Sequence, residues 1–170
     1  MRLNKLPVVA LTVGLAWPTW GLPPGGPAVA PPGPHASAEV QPLLEEAVRL
    51  LDLRQPAESL GAAEKALSQA TEHHDEPGKA LSQEARAEAL EELQRDSDAL
   101  DAWSAAEAIW VQLGAAPERI GTLCARAALL TTIRPESVPA LLDNAIRLST
   151  ATSSRPSAVI AALNSGAKRM

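Results

Sequence analysis

Residues 99–132, ALDAWSAAEAIWVQLGAAPERIGTLCARAALLTT, predict two α-helices joined by a tight turn. In the first half, large apolar residues recur at intervals of three, four and seven, as one face of a helix requires; they are Leu100, Trp103, Ile109, Trp110 and Leu113. Ser97 is the predicted N-cap of this helix, Gly114 its predicted stop, and Pro117 the start of the next helix. The short turn makes the two helices antiparallel neighbours, with Trp103 and Trp110 in the core.

The composition of the whole chain favours an all-α fold. The 170 residues include four tryptophans but no phenylalanine or tyrosine, and strands favour aromatic and β-branched residues. A net charge of −5 argues against a nucleic-acid partner, because phosphate binding needs a basic surface. The single cysteine, Cys124, excludes an internal disulfide and a cysteine-based zinc site, and it is predicted to pack among alanines in a helix.

The N-terminus predicts export. Residues 1–22 have the pattern of a signal peptide, with Arg2 and Lys5 ahead of a short apolar run, and an uncleaved interfacial anchor or a merely hydrophobic terminus is the alternative. The run is too short to span a bilayer comfortably, so no stable membrane span is expected after cleavage. The cleavage site stays open among three small-residue triplets. Residues 23–38 are rich in proline and glycine and predict a disordered linker.

Residues 39–170 predict about seven helices arranged as repeated pairs. The expected helices begin near Val40 and then cover residues 56–73, 79–95, 99–113, 117–132, 138–148 and 156–168. Two series of markers indicate a repeat of about 40 residues. Arginines near the helix breaks are 41 and 39 residues apart, and a small residue in the second helix of each pair recurs 42 and 37 residues apart; the positions are Arg54, Arg95 and Arg134, and Ala66, Ala108 and Ala145.

Helix pairs of this period, together with the segment AEAIWVQLGAAPERIGTLCARAALL, resemble the longer tetratricopeptide repeats of bacterial proteins. The resemblance covers roughly residues 40–168. It places Ala66, Ala108 and Ala145 at the family's small second-helix position, and Leu50 and Leu129 at its bulky first-helix position. It implies a right-handed α-solenoid of antiparallel pairs. Armadillo-like and HEAT-like helix pairs have a similar period and are the alternatives.

The residues that carry chemistry in other proteins fall here in patterns typical of structure. Two histidines and two carboxylates lie at His73–Glu76 and could in principle bind a metal ion. Adjacent groups in a turn rarely converge on one ion, so residues 73–78 are predicted to be a polar turn between helices. The acidic group has no calcium-loop spacing and contains an arginine, which indicates a solvated surface; its members are Glu91, Glu92, Asp96, Asp98 and Asp101. We therefore expect no catalytic, cofactor-binding or metal-binding residues, and no enzyme activity.

Stacked helix pairs offer a groove lined by the first helix of each pair, and such grooves hold peptides or segments of partner proteins. The candidate contact residues are Arg49, Arg86, Glu88, Arg119, Thr122 and Arg126. The sequence therefore predicts a non-catalytic scaffold, exported to the periplasm or outside the cell, that binds a protein or peptide. The alternative is the adaptor portion of a larger bacterial protein, since repeats resembling these often precede a protease or regulatory domain.

Overall fold

The computed structural model describes residues 34–151, and this part of the chain is all-helical, with no strand. Its six α-helices are α1 (Gln41–Asp52), α2 (Pro56–Glu72), α3 (Glu76–Glu92), α4 (Asp96–Leu113), α5 (Ala116–Ile133) and α6 (Val138–Ala151), with a 3-10 turn at Pro135–Ser137. The all-α prediction is thus confirmed for these residues. The count is six rather than seven, because the seventh predicted helix lies outside the described residues, as do the predicted signal peptide and most of the linker.

Two helices begin earlier than predicted. Helix α4 begins at Asp96, so Ser97 lies inside it and the N-cap prediction is wrong; the N-cap residue is Arg95, which makes no side-chain cap. Helix α3 begins at Glu76 because Asp75 caps it, accepting a hydrogen bond of 2.9 Å from the backbone N–H of Gly78. A Cβ on Gly78 would lie 2.3 Å from Asp75 Oδ2, so this cap needs glycine there.

Four helices end in the same backbone conformation. The left-handed residues are Arg54, His74, Gln94 and Gly114, with φ of 60°, 53°, 60° and 65°, and they lie twenty residues apart. At each turn the next N–H bonds back to the carbonyl five residues earlier, as in Gln55 N to Leu50 O at 2.9 Å, which is the Schellman arrangement. The backbone therefore repeats every forty residues, one helix pair. Arg134 departs from the series with a φ of −146°, since the following proline disfavours a helical conformation for it.

The forty-residue offset also relates the buried side chains of α1 to α5. It fails in α6, where Ala145 is buried and Ile146, eighty residues after Ala66, is 48% exposed. Ala47, Ala87 and Ala127 are each buried to 3% exposure or less. By the same offset the counterpart of Ala66 is Ala106, which is fully buried. The assignment of Ala108 to that position is wrong by two residues, because Ala108 is exposed. Likewise Leu130, rather than Leu129, corresponds to Leu50.

Consecutive helices pack against one another, and α1 also contacts α3, so the first helices of these two pairs lie side by side. Alanines form half of the buried positions in the described part of the chain, because small side chains let helix axes approach closely. The two large side chains of α4 fill the remaining space, and their predicted burial is confirmed: Trp103 is 4% exposed and Trp110 is fully buried.

Among the described helices, none combines the length and apolar character that a bilayer crossing requires.

Candidate binding groove

An open groove of about 500 Å³ lies between α1 and α3. Its α1 wall is one face of that helix, since the residues follow the three- and four-residue spacing of adjacent turns. Helix α3 supplies the other wall in the same manner. The lining residues are Gln41, Leu44, Glu45, Val48, Arg49 and Asp52 from α1, and Leu81, Glu84, Ala85 and Glu88 from α3. We call this feature the α1–α3 groove.

The α1–α3 groove is apolar at its centre and acidic around it. Val48 is 52% exposed, which is high for a valine that has neighbouring apolar side chains. Four carboxylates and one guanidinium line the groove. That guanidinium, Arg49, already forms an ion pair of 2.6 Å with Glu46 on its own helix, and the hydrogen bond lowers the pKa of Glu46. The groove therefore presents a surplus of negative charge.

Glu84 joins three helices at one wall of the groove. Its Oε1 accepts a hydrogen bond of 2.9 Å from the indole Nε1 of Trp110 in α4, and one of 2.5 Å from Oγ1 of Thr122 in α5. Burial raises the pKa of Glu84 above its ordinary value, the two hydrogen bonds oppose that rise, and the nearby charge of Glu118 adds to it. Glu84 is thus a carboxylate held in place by neutral donors rather than by a cation.

A second polar cluster closes the junction between α4 and α5. Glu107 of α4 accepts a hydrogen bond of 3.2 Å from Nη2 of Arg119, and its other oxygen accepts one from Arg126. The three side chains are only 16%, 22% and 24% exposed. This cluster therefore contributes more to packing α4 against α5 than an exposed ion pair would.

The structure separates the six residues predicted from the sequence to contact a partner. Arg49 and Glu88 line the groove. Arg119 and Arg126 lie at the α4–α5 junction, and Thr122 is buried with its hydroxyl at Glu84. Arg86 is half-buried and donates a hydrogen bond of 3.4 Å to Gln83 of its own helix.

Sequence reasoning missed Glu84 and Val48. The signal for Glu84 was present, since it lies forty residues after Leu44, so a carboxylate occupies a position that is apolar in the first pair. Val48 gave a weaker signal, because single apolar residues on helix surfaces are common.

Two of the acidic residues and the cysteine considered above take part in hydrogen bonds or packing within the fold. Asp75 accepts hydrogen bonds from the backbone N–H groups of Ser37 and Gly78; burial would raise its pKa, but these bonds outweigh it and the pKa lies below the ordinary value. Glu91 accepts a 2.6 Å bond from Nε1 of Trp103. Cys124 is half-buried beside the cluster of Ile120, Leu123 and Ala145, and burial raises the pKa of its thiol. Within residues 34–151, no three His, Cys, Asp or Glu side chains are grouped to hold a metal ion.

No protein-family model matches the chain, and neither a curated protein nor a solved structure matches it. The likeness to a helical repeat therefore depends on the packing of the six helices and on the forty-residue backbone period.

Proposed function

We propose that the protein is a non-catalytic scaffold that binds a polypeptide segment in the α1–α3 groove. The main support is that the groove is open and its apolar centre is in contact with solvent. Val48 is half-exposed there, beside Leu44, Leu81 and Ala85. Covering such surface is favourable by about 25 cal/mol for each Å² of apolar area removed from water. The array is proposed to continue as a right-handed solenoid similar to tetratricopeptide repeats, and its paired first helices support that proposal.

The non-catalytic part of the proposal is supported by what the unusual titratable groups do. Catalytic groups have pKa values shifted towards the working pH, with geometry that leaves them free to react. The raised pKa of the Cys124 thiol leaves less of the nucleophilic thiolate at neutral pH.

Export is a further proposal, carried by the basic and apolar pattern of residues 1–22, which lie outside the described residues. A fusion of residues 1–38 to a reporter that folds only after export tests it. We expect reporter activity, and replacement of Arg2 and Lys5 by glutamate should reduce it. An inactive reporter would contradict the proposal.

Selection of peptides from a displayed random library on the full chain tests the binding function. Val48→Asp places a charge at the apolar centre of the groove, and we expect it to weaken the selected peptides at least about tenfold, a change of about 1.4 kcal/mol. The matched control is Val111→Asp, because Val111 is 50% exposed on α4 and does not line the groove. The control should bind the peptides as the unmodified chain does.

Two results would contradict the proposed site. If the library yields no binding peptide, the groove is not a peptide site. If Val48→Asp and Val111→Asp weaken binding equally, the peptides bind elsewhere on the array. Circular dichroism of both variants checks that they retain the helical fold.

A further inference from the structure

Resting on the proposed binding function, we propose that the α1–α3 groove selects a basic, apolar segment of a partner protein, with a lysine or arginine of that segment bound by Glu84.

The charge around the groove supports a basic partner. Glu45, Asp52, Glu84 and Glu88 line it, and the one cationic lining residue, Arg49, is paired with Glu46. An acidic segment would add like charges to this surface, whereas a basic one is attracted to it. The apolar centre requires that the same segment also carry aliphatic or aromatic side chains.

Glu84 has one oxygen available for such a partner. Both hydrogen bonds from Trp110 and Thr122 go to Oε1, and Oε2 accepts none from the residues that the structure describes. Ser37 Oγ is the single fully buried side-chain nitrogen or oxygen atom without a partner in residues 34–151, so Oε2 of Glu84 is not a sealed atom that lacks a partner. Because Glu84 lines the groove, the geometry points to Oε2 as the atom that opens into it.

A partly desolvated carboxylate without a cation is an unusual arrangement. Burial penalises the charge of Glu84, and its two donors are neutral, so an arriving ammonium or guanidinium would supply the missing countercharge. A charge-assisted hydrogen bond is about twice as strong as a neutral one. The carboxylate is also fixed beforehand by Trp110 and Thr122, which reduces the entropy lost on binding.

Three labelled peptides of about 14 residues test the proposal, a length that covers the groove walls as a helix. The first alternates lysine with leucine in amphipathic spacing, the second replaces every lysine by glutamate, and the third keeps lysine but replaces leucine by serine. Fluorescence anisotropy with the full chain measures each affinity. We expect the lysine–leucine peptide to bind at least about tenfold more tightly than either of the others.

The variant Glu84→Gln separates recognition of charge from folding. Its amide oxygen still accepts from Trp110 and Thr122, while its negative charge is gone. We expect about tenfold weaker binding of the lysine–leucine peptide and little change for the glutamate peptide. The matched control is Glu45→Gln, an exposed groove carboxylate, which should cost less than about threefold because exposed pairs are weak.

A spectroscopic readout ties the effect to the site. The indole N–H of Trp110 shares Glu84 with the proposed cation, so its ¹H–¹⁵N resonance should shift when the lysine–leucine peptide is added. The indole resonance of Trp103, which bonds Glu91, is the internal reference and should shift less.

The outcomes are distinguishable from a failure of the binding function itself. If the lysine and glutamate peptides bind equally, or Glu84→Gln and Glu45→Gln have equal effects, the charge selection is overturned while the groove stays a binding site. If the lysine–leucine peptide binds equally to the neutral variant Val48→Asn and to the unmodified chain, the groove is not where it binds and both proposals fail.

Discussion

The first helix pair (α1 and α2) and the second (α3 and α4) share a backbone but differ in the chemistry of their interiors. In the first pair, Leu44 packs in a cluster with Ala66 and Ala70. Forty residues later, Glu84 accepts a hydrogen bond from Trp110, which replaces Ala70. One pair is thus joined by aliphatic contacts and the other by a carboxylate and an indole.

A second pair of equivalent positions shows the same difference between the two helix pairs. Ala63 of the first pair corresponds to Trp103 of the second, and Trp103 donates to Glu91 where the first pair has Leu51. A buried tryptophan brings a large apolar surface together with an N–H that needs an acceptor. The glutamates of the second pair meet that need.

The two junctions between first helices also differ in their polar contacts. Between α3 and α5, the hydroxyl of Thr122 reaches Glu84. The equivalent hydroxyl one repeat earlier, on Ser82, donates to Gly78 O of its own helix at 2.7 Å, which is the counterpart of the 3.1 Å contact from Thr122 Oγ1 to Glu118 O. The α3–α5 junction therefore carries a side-chain hydrogen bond between helices, although α1 and α3 approach each other more closely than α3 and α5 do.

The largest expected effect comes from truncating the indole. Trp110→Ala removes a fully buried side chain and leaves Glu84 with one donor fewer, so we expect a loss of about 3–5 kcal/mol in the free energy of unfolding. Urea unfolding followed by circular dichroism measures it. Val111→Ala, at a half-exposed neighbouring position, should stay within about 0.5 kcal/mol of the unmodified chain. A loss below about 1 kcal/mol for Trp110→Ala would mean that the second pair is not organised around this side chain.

The next effect distinguishes the two interiors directly. Glu84→Leu puts the residue of the first pair into the second, where Trp110 Nε1 loses its acceptor, at a cost of about 1–3 kcal/mol. Glu84→Gln keeps an acceptor and removes the buried charge, so it should be at least as stable as the unmodified chain at neutral pH. Urea unfolding midpoints of the two variants measure the difference. Equal stability of the two variants would contradict a role for the hydrogen bond.

The difference in unfolding free energy between Glu84→Gln and the unmodified chain depends on pH, because burial raises the pKa of Glu84 in the unmodified chain. The folded state binds a proton on the Glu84 carboxyl group more tightly than the unfolded chain does. Protonation of Glu84 therefore stabilises the fold, and this stabilisation is fully present below the unfolded pKa of about 4.3. That effect is lost as pH rises through the folded pKa. The stability advantage of Glu84→Gln should therefore grow from about pH 4 to pH 7, and a constant difference over that range would contradict the shift.

The helices and the buried tryptophans were predictable from the sequence because periodic apolar residues report which face of a helix is covered. The register between pairs was less accessible. In an alanine-rich helix several alanines fit the same pattern, so the pattern predicts Ala108 where Ala106 is the buried residue. The bond between Trp110 and Glu84 spans 26 residues and two helices, so it depends on a helix rotation that local patterns do not specify.

A smaller effect is expected at the junction of α4 and α5. Glu107→Gln removes the charge that Arg119 and Arg126 share, and we expect a loss of about 1 kcal/mol because the groups are only partly buried. Molar salt should reduce the difference, since it screens partly exposed charges. The matched control is Glu46→Gln, whose pair with Arg49 is exposed and should show no measurable change in the unfolding midpoint. An equal loss in both variants would mean that burial of the junction has no effect.

The smallest effect tests the backbone that the two pairs share. His74 has a φ of 53° without being glycine, and Gly114 holds the equivalent position with a φ of 65°. A left-handed conformation costs a residue with a Cβ about 1–2 kcal/mol, and glycine offsets part of this through its larger freedom in the unfolded chain. His74→Gly should therefore stabilise the fold by less than about 1 kcal/mol, and Gly114→Ala should destabilise it by a similar amount. No atom lies within 4 Å of a Cβ built on Gly114, so a loss there reports the backbone angle rather than crowding. Changes of the same sign in the two variants would show that the turns are not equivalent, and that the forty-residue period belongs to the helices alone.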